Sequence, residues 1–225
     1  MNIFQAFREG GPFMFVILAF GLFTVAFIVE RYVSLFLRLK PISNQWITNV
    51  REFIVRGEFA RAEEVASQAK NPLTPIIVKG LQVLQRGAGE EEVQARMDEE
   101  LSRSINNIDR RTGFLSMFGN VATLVGLLGT IVGMIHSFAA VAQANPMDRA
   151  TLLSKGISEA MNCTAFGLIV AVPALVTFAI YQNKTDQIVN DLTQKTSELY
   201  HDLIFFFDRG ETPSRARTNR PEANA

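Results

Sequence analysis

One cysteine and two histidines are spread over 225 residues. A lone cysteine, Cys163, excludes an intrachain disulfide. So few imidazole and thiol groups leave a metal centre or a nucleophile–base pair almost without candidates. No phosphate-binding glycine loop occurs, so the enzyme classes that announce themselves by motif are missing and the chain is not read as an enzyme. Net charge is absent too. Lys and Arg number 22 against 22 Asp and Glu, which gives no basic excess for nucleic acid. Period-two alternation is lacking, which argues against strands. The most telling absence is local: residues 10–29, 112–147 and 160–183 contain no Asp, Glu, Lys or Arg at all.

What fills those gaps is apolar. Hydrophobic residues make up 48% of the chain and Phe alone accounts for 18 positions. Crossing a bilayer takes about 20 predominantly apolar residues as a helix, so each run is long enough to span. The expected fold is all-α and membrane-integral, with three transmembrane helices at 12–37, 113–143 and 159–183. The start of the chain does not read as a cleaved leader: Arg8 and Glu9 precede the apolar run and no small-residue cleavage site closes it. Phe13, Phe15, Phe20, Phe23 and Phe27 lie all around the first span, as expected of a helix facing lipid.

Cations sort the connections. Residues 38–111 hold twelve Lys and Arg and residues 184–225 hold six, whereas the stretch before the first span has only Arg8 and the 144–158 loop only Arg149 and Lys155. Basic residues near span ends stay in the cytoplasm. This places the 38–112 loop and the carboxy terminus inside, and residues 1–11 and the periplasmic loop 144–158 outside. Glu30 and Arg31 mark the cytoplasmic end of the first span. Helical periodicity continues outside the membrane: Trp46, Val50, Phe53 and Ile54 within 43–57, then 58–70, then 73–86 after Pro72 and Pro75. The charged stretch 90–113 reads as running unbroken into the second span, and 184–209 as extending the third. The tail 210–225 is polar and rich in helix breakers, and is expected to be disordered.

Two stripes of small residues single out the second and third spans. Steps of four and three meet Gly119, Thr123, Gly126, Thr130, Gly133, Ser137 and Ala140 on one, and Ala160, Thr164, Gly167, Ala171 and Ala174 on the other. Small residues let helix backbones approach closely; hydroxyls among them also suit a narrow polar path. Both readings fit, and Thr123, Gly126, Gly133, Ser137, Ala160, Gly167 and Ala171 stand as pore-lining or close-packing positions. Three helices enclose no pore alone, so a path implies a homo-oligomer. Glu159, at the outer end of the third span with Ser158 and Asn162 near it, fits either an acid favoured by a helix N-terminus or a protonatable group at a pore mouth. His136 reads as an interfacial histidine, Cys163 as a small packing residue, and Pro173 as a bend in the third span.

The segments LVGLLGTIVGMIHSF (124–138) and GISEAMNCTAFGLIVAVPAL (156–175) resemble the MotA/TolQ/ExbB proton-channel family, in its ExbB/TolQ branch, over roughly residues 10–205. The resemblance implies a subunit of a proton-driven motor in the bacterial inner membrane. Five copies would surround a single-span partner of the ExbD/TolR type and pass force to the envelope through a transducer of the TonB or TolA type. It implies no cofactor, with H⁺ as the transported ion. It also implies that Thr130, Glu159 and Thr164 line the ion path, near an aspartate that only the partner carries. Asn162 and Cys163 depart from the more apolar family pattern and raise Na⁺ as a lesser alternative. TonB-dependent uptake, Tol-Pal envelope maintenance and gliding stay open as the process served, and a structural scaffold without conduction is the rival reading.

Overall fold

The computed structural model describes residues 11–39 and 42–208, and all of the secondary structure in them is helical. The external segment 1–11, apart from Gly11, and the 210–225 tail lie outside the described residues. Among the described residues seven α-helices follow in order: α1 Phe13–Tyr32, α2 Asn44–Val55, α3 Phe59–Ser67, α4 Thr74–Gln85, α5 Glu90–Asp109, α6 Thr112–Gln143 and α7 Arg149–Asp208, with a π-helical stretch Val33–Arg38 after α1. Three helices are long and apolar enough to cross a membrane, so this is a membrane protein. The chain divides into two compact units, one of residues 11–33 and 111–183, the other of 34–110 and 184–208 among those described.

The first unit contains the three spans. The buried face of α1 is Met14, Ile17, Thr24 and Arg31, seven residues apart over its last three members, a period that keeps one seam turned inward. Five aromatic rings join α1 to α6: Phe23 and Phe118 stack with centroids 6.0 Å apart, and Phe27 packs against Phe114 and Phe118 at 5.4 and 5.2 Å. Phe20 meets Phe118 at 6.1 Å. The phenylalanines of the first span therefore divide. Phe15 is exposed, while Phe20 and Phe27 are half-buried and help to hold two spans together. Tyr181 of α7 donates from its hydroxyl to the Ile28 carbonyl at 3.1 Å, tying the third span to the first.

Two expectations are corrected here. The charged helix does not run unbroken into the second span: Arg110 turns to extended backbone and Arg111 adopts a left-handed φ of 78°. No Gly or Pro announces this break. A non-glycine residue in that region costs about 1–2 kcal/mol, and the break is held by contacts distant in sequence. Arg111 pairs with Glu30 at 3.0 Å, and the buried Arg31 guanidinium donates to Thr112 Oγ1 at 2.5 Å. Glu30 and Arg31 are thus fastened to the start of the second span rather than simply marking the end of the first. The second correction concerns 144–158, read above as loop: α7 is helical from Arg149, and only a short turn separates it from α6. The helix then continues through Pro173.

The second unit is a helical bundle of α2–α5 with the far part of α7. Each helix packs on the next: α2 buries Ile47, Val50 and Ile54, α3 buries Phe59, Ala62 and Ala66, and α4 buries Ile76, Ile77, Leu81 and Leu84. Gly57 turns the chain between α2 and α3 at φ 76°. Asn71 starts α4: its Oδ1 accepts from the Leu73 and Thr74 amides at 3.0 and 2.9 Å, the capping that frees helix-start donors from water. Gly80 admits Met97 of α5 so closely that a methyl group there would reach its Sδ at 2.6 Å, with Leu203 of α7 at 3.6 Å. Arg51 and Asp202 pair at 2.5 Å.

Candidate functional site

The small-residue stripes meet each other within one chain. A methyl group at Gly126 would lie 3.0 Å from the Cys163 carbonyl oxygen and 3.3 Å from the Cα atoms of both Gly167 and Thr164. One at Gly167 would lie 2.8 Å from the Ala122 carbonyl oxygen and 3.1 Å from Gly126 Cα. Backbone touches backbone here. Seven residues further along each helix, Gly133 faces Ala160, its added methyl 3.1 Å from that Cβ; seven in the other direction, Gly119 faces Ala174 at 3.2 Å. Beyond Gly133, Gly156 lies hard against Ser137. The helices α6 and α7 therefore run antiparallel with a glycine or alanine at every seventh position of the seam. Ala171 is buried in the same face, and Thr123 is half-buried.

This geometry sorts the hydroxyls. Thr123 and Ser137 donate to carbonyls one turn back in their own helix, Gly119 at 3.1 Å and Gly133 at 2.7 Å. Thr130 donates to the Leu127 carbonyl at 2.5 Å. Thr164 alone among them donates across the seam, to the Gly126 carbonyl at 3.2 Å. Thr130 and Thr164 are half-exposed and occupy the same interval of the seam, between the Gly126–Gly167 and Gly133–Ala160 contacts. Their protons are committed to backbone, so each oxygen keeps lone pairs to offer as an acceptor. Glu159 stands five residues before Thr164, about 7.5 Å along the axis. It is half-buried and lines an open groove of about 600 Å³ with Ala150, Thr151, Ser154, Lys155 and Ser158, all on one face of α7.

Three contacts had no sequence signal. Cys163 fits against Gly129, whose added methyl would approach Cys163 Cβ at 2.8 Å. It belongs to an apolar cluster with Met14 and Ile17, edged by Phe13, Val125, Phe166 and Val170. Gly156 makes room for Ser137. Gly11, just before α1, has a left-handed φ of 70° and brings its Cα close enough that a methyl there would reach Glu159 Oε1 at 2.8 Å. His136 is exposed on α6. Among the described residues no three His, Cys, Asp or Glu side chains gather as a metal site.

Comparison with known proteins fits this arrangement. The model of the MotA/TolQ/ExbB proton channel family matches residues 68–194. A protein described as an ExbB homolog from Methanothermobacter thermautotrophicus is 26% identical over 192 residues, covering 85% of this chain and 67% of that protein. The biopolymer transport protein ExbB of Pseudomonas putida is 28% identical over 72% of this chain and 56% of its own length. The Tol-Pal system protein TolQ of Haemophilus influenzae is 31% identical over 66% and 59%. The match thus takes in two thirds of the first relative and little more than half of the other two.

Proposed function

The chain belongs to the MotA/TolQ/ExbB proton channel family, and on that premise we propose that it is the ring-forming subunit of a proton-driven motor of the biopolymer-transport or Tol-Pal kind. The observation that carries the reading is the Thr164 hydroxyl bound to the Gly126 carbonyl across the glycine seam. It fixes an acceptor oxygen level with that of Thr130, in a membrane-spanning segment where an unneeded polar group is costly. Glu159 lies above this pair as an acid at the outer mouth. The group that takes up and releases the proton is an aspartate of a single-span ExbD/TolR-type partner, which this chain does not contain. A homo-pentamer encloses that partner in the bacterial inner membrane, with the amino terminus outside and the carboxy terminus in the cytoplasm. A TonB- or TolA-type transducer carries the force onward.

Two features support this reading. Only 17–22% of the residues in the most apolar window of each span are buried within a single chain, so large apolar faces are left for lipid and for neighbouring copies. Energy suffices as well: one charge crossing 100 mV releases about 2.3 kcal/mol, enough to bias a stepwise rotation. The test is flux. The chain is purified with its single-span partner, placed in liposomes and given a pH gradient and a potential without sodium. Internal acidification is expected for the wild type and lost in Thr164→Val, with the oligomer unchanged on sizing. Equal flux in both proteins would refute the path through Thr164.

A further inference from the structure

Glu159 has a neighbour that neither small-residue stripe supplies. Gly11 forms the turn into α1, and its Cα lies directly under the Glu159 carboxylate. The turn is left-handed at φ 70°, a conformation that glycine adopts freely and a residue with Cβ does not. Pro12 follows as the cap of α1, and the first turn of α1 holds no acid of its own. Glu159 therefore provides, from another helix, the negative charge that a helix start attracts. On its other side lies the polar groove with Thr151, Ser154, Lys155 and Ser158. The carboxylate thus lies between the turn at the head of the first span and this groove.

We infer that Gly11 is a positioning residue for Glu159, and that the first span, through the bare left-handed turn at its head, holds the acid of the proton path in its docked place. This rests on Glu159 acting in that path. The clash made by a methyl at Gly11 falls on the far end of a flexible side chain, so crowding moves the carboxylate, while the left-handed φ adds a backbone strain of its own. Among the described residues, the other titratable groups near Glu159 are Lys155 and Cys163, one turn away on either side along α7, and on α6 His136 stands next to Ser137, which meets Gly156. Lys155 and His136 are exposed, and a solvated cation such as Lys155 compensates little for the lost helix start.

The experiment follows the infrared carboxylate bands of Glu159 in the purified complex at one pH, identified as the bands missing in Glu159→Gln. Gly11→Ala is expected to shift them, because the added methyl displaces the carboxylate from its contact. Gly11→Asn, which tolerates the left-handed backbone and still adds a Cβ, is expected to do the same, which separates crowding from backbone strain. Unshifted bands in both variants overturn the inference. Proton flux is measured on the same samples, and its rate is expected to change with Gly11→Ala but not when Glu159→Gln is already present. A change that persists in the Glu159→Gln background also overturns it. If the wild type conducts no protons, the channel reading fails by itself, while the infrared bands still decide where the carboxylate sits.

Discussion

Changing glycine to alanine should have opposite signs at two positions of the same unit. Gly113 and Gly167 are both helical. At Gly113 an added methyl meets nothing within 4 Å; at Gly167 it meets the Ala122 carbonyl oxygen at 2.8 Å and Gly126 Cα at 3.1 Å. Helix propensity favours alanine by up to about 1 kcal/mol at either site. At Gly113 nothing opposes that gain, so Gly113→Ala is expected to stabilise by up to about 1 kcal/mol. At Gly167 the obstacles are backbone atoms, which cannot rotate away, and overpacking of this kind costs about 1–3 kcal/mol. The net expectation for Gly167→Ala is a loss of about 0–2 kcal/mol once propensity is subtracted. Gly126→Leu, with four atoms where one does not fit, should part α6 from α7 and abolish the assembled oligomer. The assay is thermal loss of helical circular dichroism in detergent, run beside sizing of the oligomer. A Gly167→Ala protein more stable than Gly113→Ala would refute the argument that the seam is set by backbone contact.

Further outcomes follow from other contacts. Thr112→Val removes the acceptor of the buried Arg31 guanidinium and should destabilise by about 1.5–3 kcal/mol, the range for a hydrogen bond to a charged group; the same melting assay reads it. Arg51→Ala breaks an ion pair whose arginine is nearly half exposed and should cost under about 1 kcal/mol. Tyr200 is a pH probe of the second unit. Burial, then the negative charges of Glu90 and Asp98, push its hydroxyl above the ordinary value of 10.0, and it donates to Gln94 Oε1 at 3.0 Å. A raised folded value means its stabilisation is intact below pH 10 and lost as the pH climbs through the folded value. Alkaline difference absorbance of Tyr200→Phe should therefore lack one late-titrating tyrosine that the wild type shows.

Periodicity and charge made much of this protein legible in its sequence. Three runs without charge dictate three spans because lipid hydrates no ion, and the seven-residue repeat of glycine and alanine announces a close helix seam because only such residues let backbones touch. The same motifs, LLGT and GISEA with Thr164 five residues on, locate Thr130, Glu159 and Thr164 by resemblance. The sequence does not say which face of each stripe meets which partner. Thr130 and Thr164 look alike in the pattern, yet only Thr164 donates across the seam, because the antiparallel register sets the Gly126 carbonyl in front of it. Cys163 reads as a small packing residue and packs with Met14 and Ile17, while its neighbour Thr164, about 100° round the helix, reaches across the seam. The break at Arg110–Arg111 carries no glycine or proline; it exists because Glu30 and Arg31, some eighty residues earlier, hold its far side. Local composition determined which segments are helices and which enter the membrane. The contact of Gly11 with Glu159 and the latch at Arg31 were decided only by the tertiary structure, since each depends on atoms brought together from segments far apart in the chain.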